Sequence, residues 1–124
     1  MEIINIKETE DTPKIILDGL REQFEISKKS FPEDAISFYA PIFDWLNKYT
    51  QAPNAKTAFS FRMDYFNTAS SKQIYKILSI LDNISKNNEV EIQWNYNKHD
   101  TDMLSSGERY SKLIVNLKFN FIGF

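Results

Sequence analysis

Residues 67–72, Asn67-Thr68-Ala69-Ser70-Ser71-Lys72, place three hydroxyls, an amide and an amine in one short polar stretch. The stretch separates two different periodicities. Before it, Phe59, Phe61, Met63 and Tyr65 alternate with Ala58, Ser60, Arg62 and Asp64, as in a strand with unequal faces. After it, Ile74, Ile77, Leu78, Leu81 and Ile84 recur at helical spacing. A strand therefore hands over to a helix through hydroxyl-bearing residues. The free N–H groups of a helix start need capping, and the same groups tolerate a negative charge. Thr68, Ser70 and Ser71 thus have two uses: one of them caps, or one of them carries a phosphate, which would add ~1.5–2 negative charges. Lys72 is unfavourable beside the positive helix end, unless an anion visits that end or the side chain points to solvent.

Other chemistry finds little support. His99 is the single histidine and there is no cysteine, so thiolate catalysis and a disulfide framework are excluded and a zinc site is not expected. Asp100 and Asp102 are a weak signal for an all-carboxylate metal site and read more simply as solvated loop residues. Gly19, Gly107 and Gly123 are the only glycines, too few and too far apart for a phosphate-cradling loop. Hydrolysis through Ser70 or Ser71 would need a base and an oxyanion hole, and one loop histidine supplies neither pairing. No cofactor is expected.

The chain has 124 residues, with ten Phe, six Tyr and two Trp, enough to build one packed domain over 1–124. A formal charge of -2 from 15 basic and 17 acidic side chains speaks against a nucleic-acid partner. Glu2, Lys7, Glu8, Glu10 and Asp11 stand where a signal peptide needs an apolar run, and no segment has the length of a membrane span. A soluble cytoplasmic protein with no membrane partner is expected.

The elements that must position residues 67–72 can be read in order. Residues 2–7 form a weak edge strand, and 14–18 with 23–27 form a hairpin about Gly19-Leu20-Arg21. Ser30-Phe31-Pro32-Glu33 reads as a helix start, with Ser30 or Phe31 in the cap region and Pro32 in the first turn. The helix over 32–49 carries Pro41, which should kink or split it. The 57–66 strand and the helix from Ser70 to Ile84 follow. Residues 89–96 are a strong strand, 97–107 a polar surface loop, 108–116 a short helix, and 117–124 a last strand pinned in the sheet. The Leu78 stripe and the 32–46 stripe should cover the sheet. The fold class is α/β, a mixed sheet covered by helices, with 57–96 a parallel crossover unit.

Several segments together resemble one known family. They are Thr12-Pro13-Lys14-Ile15 with Leu17-Asp18, Ser30-Phe31-Pro32-Glu33-Asp34-Ala35, Phe38-Tyr39-Ala40-Pro41, Trp45-Leu46, Asp64 through Lys72, Trp94-Asn95-Tyr96, Met103-Leu104 and Gly107-Glu108. The chain is similar over nearly its whole length to the SiaC-like family of bacterial regulatory phosphoproteins, once a family of unknown function. The resemblance implies a STAS-like domain of the anti-sigma-factor-antagonist type and no catalytic activity. It implies a phosphoacceptor at Thr68, with Ser70 and Ser71 as alternatives. The implied partners are a Ser/Thr kinase of the histidine-kinase-like ATPase type, a PP2C-like phosphatase, and an effector bound by the unphosphorylated form. In the best-known system that effector is a diguanylate cyclase, which links the family to cyclic-di-GMP signalling and biofilm formation. Asn67, Lys72, Tyr65, Tyr39 and Asp100 are the expected partner-binding residues. The 97–108 segment is less acidic here than is usual for the family. Two other readings stay open: a constitutive adaptor in which the hydroxyls only cap the helix, and, more remotely, a small hydrolase.

Overall fold

A computed structural model describes residues 2–124. The described residues form six strands and three helices: β1 (Ile4–Ile6), β2 (Lys14–Asp18), β3 (Gln23–Ser30), α1 (Ala35–Tyr49), β4 (Lys56–Phe66), α2 (Thr68–Ser85), β5 (Glu89–Tyr96), α3 (Thr101–Leu113) and β6 (Lys118–Gly123). The strands lie in one sheet in sequence order. β1, β2 and β3 are antiparallel neighbours, and β3 to β6 are parallel. Each parallel step is bridged by a helix, as parallel pairing requires.

The sheet has one buried face. Ile15, Leu17, Phe24, Ile26, Phe59, Phe61, Met63, Val90, Ile92 and Trp94 are buried, while the alternate positions Glu25, Ser60, Arg62, Glu91 and Gln93 reach solvent in part or fully. The helices lay their apolar stripes on the first face: Tyr39, Ile42, Trp45, Leu46 and Tyr49 from α1, and Ile74, Ile77, Leu78, Leu81 and Ile84 from α2. The molecule is therefore two-layered, with the second face of the sheet open.

Each helix begins on an Asx cap. Asp34 accepts from the Ser37 N–H at 3.1 Å, Asn67 from the Ser70 N–H at 2.9 Å, and Asp100 from the Met103 N–H at 2.9 Å. This corrects the expected start of α1. β3 continues through Ser30, which pairs with Phe66, so Ser30 cannot cap and Pro32 lies ahead of the helix. Pro41 does not split α1, which runs unbroken through it. The carbonyl it leaves without a helix partner belongs to Ser37, and both residues are exposed, so that carbonyl lies open to solvent.

The larger correction is α3. Residues 101–113 are helical, where a loop over 97–107 was expected. Gly107 is why the helix can lie down on the sheet: a Cβ there would stand 2.4 Å from Trp94 Nε1 and 2.5 Å from Trp94 Cδ1. The Trp94 Nε1–H donates to the Met103 carbonyl at 2.9 Å, and the ring also meets Tyr110 and Phe66 edge-on. The last strand is held as expected. The Phe124 N–H donates to the Tyr96 carbonyl, the Lys98 N–H to the Phe124 carbonyl, and the Arg62 guanidinium lies 4.0 Å over the Phe124 ring. Among the described residues no helix is long and apolar enough to cross a membrane.

Candidate functional site

The hydroxyl stretch lies at the carboxyl end of β4, a position where loops of parallel sheets commonly present functional groups. Asn67 is the cap of α2, and Thr68 is its first helical residue. This corrects the expected geometry in two respects. The helix begins at Thr68 and not near Ser70, and neither Thr68, Ser70 nor Ser71 supplies the capping oxygen.

The three hydroxyls have different fates. Ser70 is fully buried. Its Oγ lies 2.8 Å from Ser30 Oγ, which in turn lies 2.7 Å from Tyr39 Oη. The chain of hydroxyls ties α2 to the end of β3 and to α1. Burial pushes the Tyr39 phenol up to about 12, against the opposing pull of its bond to Ser30. Ser71 is half-buried and faces α3. Tyr110 Oη donates to the Ser71 carbonyl at 2.8 Å, which leaves the Ser71 hydroxyl, also 2.8 Å away, as donor to Tyr110 Oη. Burial raises the Tyr110 phenol as well. Thr68 alone is exposed, and no hydrogen bond holds its hydroxyl among the described residues. The first turn of α2 is thus fixed from both sides while its outermost hydroxyl is free.

Ser70 is corrected as an alternative acceptor, because no solvent reaches its Oγ. Tyr39 is corrected as a partner-binding residue for the same reason: its exposure is 0%. Asp100 is half-buried and its carboxylate caps α3. Lys72 is exposed one turn beyond Thr68, on the same side of the helix.

Tyr65 is at the site, on the face opposite to the one its alternation suggests. In the register of β3 and β4, Lys28 pairs with Met63 but Lys29 pairs with Tyr65, so Asp64 is an extra residue. The bulge reverses the parity of β4: Phe66, not Tyr65, turns to the core and packs on Trp94. Tyr65 is 50% exposed and meets the 39% exposed Phe31 edge-on, with centroids 5.8 Å apart. Phe31, expected only in the cap region of the first helix, is not among the expected site residues. Lys29, Phe31, Tyr65 and Asn67 line an open hollow of about 530 Å³. The Asn67 N–H donates to the Ser30 carbonyl at 3.0 Å, which sets the hollow directly beside the start of α2. The structure gathers no group of three or more metal-ligating side chains among the described residues.

Several proteins of Pseudomonas aeruginosa are similar to this chain. A solved structure of SiaC superposes with a TM-score of 0.85 at 21% identity over the full length of both chains. A chain in the structure of the diguanylate cyclase SiaD in complex with its activator SiaC gives a TM-score of 0.89 at 21% identity, covering 98% of this chain and 99% of that one. An uncharacterized protein of the strain UCBPP-PA14 is 22% identical over 111 residues, 89% of this chain and 88% of its own. These likenesses place the fold. The model of the SiaC family regulatory phosphoproteins matches residues 6–124, and the chain belongs to that family.

Proposed function

We propose that this protein is a non-catalytic partner switch whose phosphoacceptor is Thr68. A Ser/Thr kinase of the histidine-kinase-like ATPase type adds the phosphate, a PP2C-like phosphatase removes it, and the unphosphorylated form binds and activates a diguanylate cyclase. The observation that carries the reading is the division of labour among the hydroxyls. Ser70 and Ser71 are engaged by Ser30 and Tyr110, and the cap is Asn67, so the exposed Thr68 hydroxyl has no structural duty. That also weakens the adaptor reading, whose premise was that the hydroxyls cap. A phosphate on Thr68 would sit at the positive end of α2, within one turn of Lys72. Its effect on a bound partner would be direct, through bulk, charge and the cost of desolvating a dianion in an interface.

The test pairs a kinase assay with a titration against the cyclase from the same cell. Thr68→Ala should fold, resist phosphorylation and still bind. Thr68→Asp should fold and lose most binding, as should authentic phosphoprotein. Stoichiometric phosphorylation of Thr68→Ala would move the acceptor elsewhere, and tight cyclase binding by the phosphoprotein would remove the switch.

A further inference from the structure

The geometry points to the Phe31–Tyr65 ledge, with Lys29 at its margin, as the surface that takes the effector. We assign to it a segment of the diguanylate cyclase that presents an apolar side chain next to a carboxylate. This rests on the effector named under Proposed function and adds the surface and its chemistry.

Four observations on the structure converge. First, Phe31 and Tyr65 are two large side chains in contact with each other and still half in water; paired exposed aromatics in a hollow are what interface anchors look like. Second, the ledge exists only because of the bulge. Without the extra Asp64, Tyr65 would turn to the buried face with Phe61 and Met63, and Lys29 would lose it as a neighbour. The bulge holds Lys28 at a φ of 78°, a left-handed conformation unfavourable for a residue with a Cβ. Lys28, Asp64 and Tyr65 are all exposed, and the core receives Phe66 in place of Tyr65. Third, Lys29 borders the ledge, is exposed and makes no ion pair among the described residues, although Glu10 and Asp64 line a second hollow with it. A partner carboxylate is its natural complement. Fourth, Asn67 lines the same hollow and immediately precedes Thr68. A phosphate on Thr68 would therefore stand at the rim of this surface, where it repels the same carboxylate that Lys29 attracts.

The experiment titrates the purified cyclase of the same cell against the full chain and its variants. Circular dichroism and thermal unfolding establish that each variant is folded. Phe31→Ala and Tyr65→Ala should each weaken binding at least tenfold, and Lys29→Glu more than either. Lys29→Ala should also flatten the dependence of affinity on salt. Val115→Ala and Leu20→Ala, at exposed apolar residues on other elements, should change affinity less than twofold. Affinities within twofold of wild type for all three ledge positions, with the phosphoprotein still unable to bind, would overturn the surface and leave the switch standing. A wild-type chain that binds no cyclase would overturn both. Loss of Thr68 phosphorylation in Lys29→Glu with cyclase binding unchanged would give the ledge to the kinase. A dimer abolished by Tyr65→Ala would give it to a second copy of the chain. Either result refutes the assignment.

Discussion

Gly107→Ala should destabilise the protein, although alanine is the better helix former. Gly107 lies inside α3, and in an exposed helix the change would stabilise by up to ~1 kcal/mol. Here the new Cβ would fall 2.4, 2.5 and 2.8 Å from Trp94 Nε1, Cδ1 and Cε2, far inside van der Waals contact. Trp94 has little room to yield, being 1% exposed and packed between Phe61, Phe66 and Tyr110. The helix must lift, and overpacking of this kind costs about 1–3 kcal/mol. Lifting also draws the Met103 carbonyl from Trp94 Nε1, and a buried donor left unpaired costs roughly 1–3 kcal/mol more. Less the helix-propensity gain, the net loss should be about 1–5 kcal/mol. Urea unfolding followed by far-UV circular dichroism measures it. Trp94→Phe removes the clashing pyrrole edge, so the double variant should be more stable than the sum of the two single losses predicts. Gly107→Ala at or above wild-type stability would show that α3 does not rest on Trp94 as described.

Asn67→Ala should cost ~0.5–2 kcal/mol in the same unfolding assay, as removal of a helix cap does, whereas Thr68→Ala should leave stability nearly unchanged. Leu78→Ala, at a fully buried position of α2, should cost ~2–5 kcal/mol; a change under about 0.5 kcal/mol would mean that the stripe faces elsewhere. Tyr39 gives a pH dependence with a definite sign. Its phenol is raised from 10.0 to about 12 in the folded chain, so the neutral form is favoured by folding. That contribution is whole below pH 10 and is lost as pH rises from about 10 to about 12, up to ~2–3 kcal/mol. Unfolding midpoints at pH 9 and pH 11.5 should converge for wild type and Tyr39→Phe at the higher pH; an equal gap at both would refute the burial argument.

The strands were readable because one face of the sheet is buried and the other is wet, which writes the alternation directly into 14–18, 57–63 and 89–94. The stripe of α2 was readable for the corresponding reason. The misses share a physical cause: each depends on a contact with something distant in the chain. Residues 101–107 look like a loop by composition, and become helix because Asp100 caps them and Gly107 allows Trp94 to lie against them. Ser30 looks like a cap, and becomes a buried strand residue because Tyr39 and Ser70 satisfy its hydroxyl. Tyr65 looks like core because nothing in β4 marks the extra residue; only the register against Lys28 and Lys29 reveals it. The polar stretch at 67–72 was recognisable as a strand–helix junction, but which hydroxyl was free could not be read from it. That is decided by partners 39 and 40 residues away.

Those partners bear on how a switch at this position can work. Ser70 is anchored toward α1 and β3, Ser71 toward α3, and Asn67 to the Ser30 carbonyl. A turn held on three sides has no cheap alternative conformation. On the proposed reading, a phosphate added to Thr68 is then felt where it sits and is not relayed through a rearranged fold. The amide groups at the start of α2 and the Lys72 ammonium offset part of its charge, so the folded domain should tolerate it with little loss of stability. A partner seated on the neighbouring ledge has no such compensation, because it would have to strip water from the dianion in order to stay. The asymmetry predicts a phosphoprotein whose unfolding midpoint is close to that of the unmodified chain and whose affinity for the effector is not. If phosphorylation instead lowered stability by several kcal/mol, or loosened hydrogen exchange across Thr68–Gln73, the clamp would be a moving part, and a switch acting by occlusion alone would be the wrong description.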